Sequence, residues 1–261
     1  MFRNILAHLS CVILLGGMTS GTSKPSDTFV ARETLRGKAA IEHGAEAILA
    51  DPYAVATIYY SMRFTKKALV AHSPQNRIVG SLATGMKNET KKKFLSYLAE
   101  QYQSKTSAVS PSSQTLASPL EHYALQWFEH SHPDAIDLFT KEGLPVYSMT
   151  DGIVVIAQAD WNPLDPFSTV SQKGGNEIIV FDPRHETFYR YCHLATVLVV
   201  PGDIVRSRQP IGTVGHTGLN ASRKNHGNHL HLEINVYHDE KHSTISLSRN
   251  ELRKILERIQ P

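Results

Sequence analysis

The stretch His229-Leu230-His231-Leu232-Glu233-Ile234-Asn235-Val236 alternates polar with apolar residues. Strand side chains point to opposite faces in turn, so His229, His231, Glu233 and Asn235 share one face and the aliphatic residues take the other. Two imidazoles at that spacing stand about 7 Å apart at the backbone, close enough to reach one ion, or one ion and its water. The spacing does not assign these roles, and two solvated strand histidines fit the same pattern. A second run, Phe188-Tyr189-Arg190-Tyr191-Cys192-His193-Leu194, carries another histidine. Alternation groups His193 with Tyr189 and Tyr191 and sends Cys192 to the opposite face as a core thiol. A third stretch, His132-Pro133-Asp134-Ala135-Ile136-Asp137, precedes Leu138-Phe139. A carboxylate oxygen combined with two imidazole nitrogens suits catalytic zinc and leaves a fourth position for water. A turn built on Pro133 and Asp134 is the competing reading of that stretch.

In this order the three stretches resemble the lysostaphin/LytM-type zinc peptidases. That family's pattern is a His and an Asp after a short gap, a Tyr-x-His-Leu strand, and a terminal His-Leu-His with an acidic residue two positions on. Here these are His132 with Asp137, Tyr191-Cys192-His193-Leu194, and His229-Leu230-His231-Leu232-Glu233. Signposts between them match as well: Gly143-Leu144-Pro145-Val146-Tyr147, Asp151-Gly152-Ile153-Val154, Gly175-Asn176, Val200-Pro201-Gly202-Asp203-Ile204-Val205, and Ile211 to Gly218. The resemblance covers residues 123–238, roughly half of the chain, and an ordered set of motifs is far more specific than any one of them.

The resemblance implies that His132, Asp137 and His231 bind one zinc ion per chain and that His193 and His229 are catalytic. It implies an endopeptidase that hydrolyses peptide cross-links of bacterial peptidoglycan. Glu233 is expected to orient a ligand imidazole; His216, His226 and Asn228 lie in the glycine-bearing loops before the His-Leu-His strand, where solvent exposure is expected and lining of the groove is the alternative. A catalytically inactive relative that binds cell wall or activates other wall hydrolases is the alternative. The family's usual gap puts Asp four residues after His, whereas here it is five, so the segment must bend or bulge for both to meet one ion. His130 is a second candidate for the first ligand.

The elements that would position these residues form an α+β arrangement: a mainly antiparallel β-sheet peptidase domain with a groove, preceded by a smaller helical region. Residues 23–103 read as helical, broken at Asp51-Pro52. In Asn88–Tyr102, Phe94, Leu95, Leu98 and Tyr102 recur at helical spacing and leave Lys91, Lys92 and Lys93 toward solvent. Ser/Pro-rich residues 104–119 read as a linker. Residues 120–245 form the sheet domain, with short β-branched and aromatic runs punctuated by Gly and Pro and a long loop from Ala159 to Gly174. In 246–261, Ser248 and Glu251 make a capping box ahead of Leu252, Ile255, Leu256 and Ile259, a packed helix.

Residues 1–22 have a basic start, a short apolar run and small polar residues, the layout of a secretory signal, which predicts export to the periplasm or cell envelope. The run is too short to span a bilayer, so no stable membrane span is expected in the mature chain. The net charge of +3 is spread along the 261 residues, unlike the clustered footprint of a nucleic-acid binder. The partner that the resemblance implies is a peptidoglycan peptide. Nothing in the sequence fixes the oligomeric state or which cross-link bond is cut.

Overall fold

The computed structural model describes residues 25–64, 74–84, 86–107, 116–125 and 132–259. The candidate export segment 1–22, His130 and residues 108–115 lie outside them. Helices come first: α1 (Pro25–His43), α2 (Ala45–Ala50), α3 (Pro52–Arg63), α4 (Pro74–Ala83) and α5 (Asn88–Thr106). Asp51 ends α2 and starts α3. Its Oδ1 accepts from the Tyr53 and Ala54 amides at 3.0 and 2.8 Å, while Pro52, which has no N–H to satisfy, takes the first helical position. The break expected at Asp51-Pro52 is present.

The C-terminal part is antiparallel throughout. The large sheet has the order β1 (Ala124–Leu125), β2 (Ile136–Phe139), β10 (His229–His238), β6 (Thr187–Cys192), β5 (Glu177–Asp182), β4 (Gly152–Gln158) and β8 (Ile204–Val205). Strand β11 (Ser243–Ser246) pairs the far half of β10. A small sheet joins β3 (Pro145–Tyr147), β9 (Pro210–Val214) and β7 (Leu194–Val197). Helix α6 (Arg249–Ile259) closes the fold. Its capping box is formed, with the Ser248 amide donating to Glu251 Oε2 at 2.7 Å, and it buries Leu252 and Leu256.

Each face of the large sheet has its own core, as the period of two requires. Leu138, Val154, Ile178, Val180, Tyr189, Tyr191, Leu230 and Leu232 pack with the small sheet and α6. Ile153, Val155, Ile179, Phe181 and Phe188 on the opposite face share one apolar cluster with α1 to α5. The helical region is thus a layer laid on the sheet. Helix α3 is the inner member, with Tyr53 to Tyr60 and Met62 all buried.

Two expectations need correction. Helix α5 runs through Thr106, into the stretch read as a linker, because its Phe94, Leu95, Leu98 and Tyr102 stripe is buried against this layer. Lys91 is not on a solvated face: it is buried, with Nζ donating to the Ser61 carbonyl at 3.3 Å, and the desolvation lowers its pKa. Only the ammonium of a long side chain has to find a partner, so the stem can cover apolar surface.

Candidate active site

Register places the site. In the β2–β10 ladder Asp137 lies directly opposite His231 and Phe139 opposite His229, and on the other side of β10 Cys192 of β6 lies opposite His231. Leu230, Leu232 and Ile234 go to the core shared with α6. His229, His231, Glu233 and Asn235 therefore face the helical layer, as the alternation predicts.

Asp137 Oδ1 stands 2.8 Å from His231 Nδ1 and 3.9 Å from His229 Nε2. The other nitrogen of His231, Nε2, is 3.1 Å from Glu233 Oε1. Burial disfavours the charged imidazole, but the hydrogen bonds to Asp137 and Glu233 outweigh it and hold the His231 pKa at about 9. Burial likewise works against the Asp137 carboxylate, and the hydrogen bond and charge of His231 reverse this, to about 2. The two shifts describe one event, a proton on His231 shared toward an ionised Asp137.

His193 reaches the site by a route that strand alternation misses. It is the single residue between β6 of the large sheet and β7 of the small one, and its φ is +65°. Few residues other than Gly adopt that conformation, histidine more readily than most. The twist takes His193 off the Tyr189/Tyr191 face and sets its ring 4.7 Å from His229 and 5.6 Å from His231, between centroids. Cys192 then stays in register with His231, a buried thiol 3.7 Å from Glu177 Oε2, and burial pushes its pKa up. It lies beside the site layer, not in the aliphatic core of the other face. Grouping His193 with Tyr189 and Tyr191 is thus corrected.

Both of these imidazoles are held in one tautomer. His193 Nδ1 is 2.7 Å from the Thr217 carbonyl and His229 Nδ1 is 3.1 Å from the Gly227 carbonyl. A carbonyl oxygen only accepts, so each Nδ1 carries hydrogen and each Nε2 is left with a lone pair. Burial lowers the pKa of both rings, that of His193 far below the ordinary value with help from the charge of His231, so they are neutral at pH 7. His229 also stacks with two rings, Phe139 at 4.9 Å and His226 at 5.1 Å between centroids.

His132 sits outside β2, in the turn before it. Its ring is 5.3 Å from that of His231 and nearly perpendicular to it. The additional residue in the His132–Asp137 gap is absorbed by this turn, so the strand has no bulge. The turn is tied to α6, with Arg249 donating from its amide to the Pro133 carbonyl and from its guanidinium to the His132 carbonyl. His216 lies exposed beside Glu142, 3.4 Å away. The Asn228 carbonyl accepts from the Thr140 amide.

Residues that sequence reasoning did not single out surround Glu233. Its Oε1 also accepts from Arg190 at 3.1 Å, and its Oε2 pairs with Arg63 of α3. Arg190 continues to Glu177 at 2.8 Å, which accepts from the Tyr60 hydroxyl at 3.3 Å. Burial opposes the Glu233 charge, but Arg190 first, then His231 and Arg63, hold it well below the usual carboxylate range. A lone Glu177 in an apolar strand was a readable signal of such a buried pair. Arg63, at the end of a remote helix, offered none.

Among the described residues no three His, Cys, Asp or Glu side chains form a ready-made metal cage, and no helix is long and apolar enough to cross a membrane. Residues 131–244 match the model of peptidase family M23. Over 108 residues, 41% of this chain and 24% of the relative, it is 32% identical to an uncharacterized metalloprotease of Buchnera aphidicola. Over 102 residues, 38% of this chain and 20% of the relative, it is 33% identical to the peptidoglycan DD-endopeptidase ShyB of Vibrio cholerae. The chain thus spans a quarter or less of the length of these curated relatives. Among solved structures, lysostaphin from Staphylococcus simulans aligns over 58% of this chain and 56% of its own, at 21% identity and a TM-score of 0.41. The part of the chain that holds His132, Asp137, His193, His229 and His231 is thus the part that matches peptidase family M23.

Proposed function

We propose that the chain is a zinc-dependent endopeptidase, exported to the cell envelope, that hydrolyses peptide cross-links of bacterial peptidoglycan. The carrying observation is the direct contact of Asp137 with His231, flanked by His193 and His229, whose Nδ1 atoms are each committed to a backbone carbonyl. In this reading His132, Asp137 and His231 hold the ion. The donor chemistry fits, since a carboxylate oxygen and an imidazole nitrogen converge at 2.8 Å.

When bound, the ion would supply positive charge that acidifies water and polarises a peptide carbonyl. The chain's own residues do the rest. Asp137 remains ionised and brings negative charge to the donor set. Glu233 fixes the His231 ring through Nε2, which aims Nδ1 at Asp137. Peptide hydrolysis takes one proton from water and delivers one to the departing amine. His229 and His193 can hold that proton at Nε2, because each Nδ1 is already committed to a carbonyl. As imidazolium, either ring would also stabilise negative charge on the carbonyl oxygen.

The inactive-module alternative is disfavoured because all five side chains are present and four of them converge on one end of the sheet. The likeness to a peptidoglycan DD-endopeptidase supports the substrate class. The test is digestion of purified sacculi by the full chain, with and without a chelator, and mass analysis of the products. Conversion of cross-linked to uncross-linked muropeptides, read after the glycan strands are cut with a muramidase, is expected only without chelator. No conversion under either condition would count against hydrolysis.

A further inference from the structure

Helix α3 ends on the floor of the site. Arg63 is its last residue, and its guanidinium is buried where the helix meets β10. One nitrogen pairs with Glu233 Oε2 and the other with Asp134 Oδ2 at 3.1 Å. Asp134 belongs to the turn that presents His132, and Glu233 is the acceptor for His231 Nε2. One guanidinium from the helical layer thus touches both elements that carry the proposed metal-binding histidines. Arginine suits this position because its planar fork reaches two carboxylates at once and stays charged when buried.

We propose that Arg63 is a positioning residue of the metal centre: it pins Glu233 and the Asp134 turn so that His231 and His132 face Asp137. The proposal rests on the metal reading above. Its logic is a competition for Glu233. Oε1 already serves both Arg190 and His231, at 3.1 Å each, while Oε2 is held by Arg63. Without Arg63 the carboxylate is free to rotate toward Arg190 Nη1, the guanidinium nitrogen that Glu177 does not hold. His231 Nε2 then loses its acceptor, and its ring loses the constraint that directs Nδ1. Outer partners of a ligand histidine commonly change metal affinity by roughly 10–100-fold.

The test measures zinc affinity of the full chain against a chromophoric chelator, with thermal unfolding of the metal-free protein as a control. Arg63→Met is expected to weaken zinc binding roughly 10–100-fold. Arg63→Lys keeps the charge but cannot bridge two carboxylates, and an intermediate loss is expected; it also serves if Arg63→Met does not fold. Arg63→Met combined with Glu233→Gln should bind no more weakly than Glu233→Gln alone, because both remove one link. Zinc affinity within about twofold of the parent in the Arg63 variants, or losses that add in the double variant, overturns the proposal. Asp137→Asn separates the two ideas. If it loses zinc while the Arg63 variants do not, only the role of Arg63 falls; if it binds zinc like the parent, the metal reading falls and takes this proposal with it.

Discussion

His231 and Asp137 are direct cross-strand partners, and their side chains meet at 2.8 Å through Nδ1 and Oδ1. Neighbouring strands hold the pair, so its geometry does not depend on a loop. Asp137→Asn keeps the shape and removes the charge, and His231→Ala removes the nitrogen. Each should lower zinc affinity at least about 100-fold, given that ligand loss exceeds the 10–100-fold effect of outer partners. Elemental analysis after gel filtration is the measurement, and normal zinc content in both variants refutes the ligand assignment. His132→Ala should also lose zinc, yet leave the metal-free protein as stable as the parent, because that side chain is exposed on a turn.

His229 is placed beside the donor pair, with Nε2 at 3.9 Å from Asp137, and stacks with both Phe139 and His226. His229→Ala is expected to retain zinc and to lose roughly 10²–10⁴-fold in turnover, the usual size of a general acid–base contribution. His226→Ala should cost far less, since that ring is exposed and its stacking on His229 leaves the His229–Gly227 hydrogen bond in place. A defined cross-linked muropeptide with product quantification distinguishes the two. Full activity in His229→Ala removes the proposed role.

Legibility in the sequence divides along physical lines. The β10 alternation reads correctly because a strand with one face in an aliphatic core has no freedom to shift register. Asp137, expected just before an apolar strand, lies inside β2 between Ile136 and Leu138, because pairing with β10 begins at Ile136, ahead of the apolar run. The capping box at Ser248 and the break at Asp51 are local chemistry and need no tertiary information. His193 fails under the same alternation rule, because one left-handed residue between two sheets reverses its direction. Lys91 fails because helical periodicity does not say how wide the buried stripe is when two layers close over it. Arg63 is out of reach altogether: Glu233 lies 170 residues away, and no spacing rule links them.

The loop that carries Thr217 predicts a further effect. Thr217 O accepts from His193 Nδ1, and the next residue, Gly218, has φ of +104°. A Cβ there would stand 2.4 Å from the Lys173 carbonyl oxygen and 3.0 Å from His193 Nδ1. Gly175, at φ +68°, faces the same loop, and a Cβ on it would meet the Thr217 carbonyl carbon at 2.4 Å. Backbone cannot yield to such contacts as a flexible side chain can. Gly218→Ala should therefore displace His193 and reduce turnover by at least tenfold, while zinc content stays normal because Asp137 and His231 are on other strands. A variant with parental kinetics would show that the Thr217–His193 contact does not matter to the reaction.

The helical layer yields the last prediction. Phe181 and Phe188 are almost fully buried, and they pack with Ile153, Val155 and Ile179 against helices rather than against the second sheet. Tyr59 sits on Phe188 at 5.4 Å and its hydroxyl accepts from Asn235 Nδ2 at 3.0 Å, so one residue of α3 contributes both apolar area and a polar partner to the site face. A fragment of residues 116–261 would leave that apolar face in water, together with Arg190, Glu177 and Glu233 in part unpaired. Exposed patches of that kind drive association, so the fragment is expected to be insoluble or to lack fixed tertiary structure by near-UV circular dichroism. Within the full chain, Ile58→Ala should cost about 2–5 kcal/mol, as for other fully buried aliphatic truncations, and should do so in a single urea transition that also abolishes zinc binding. Two separate transitions, with zinc retained after the first, would mean that the sheet holds its site without the helices.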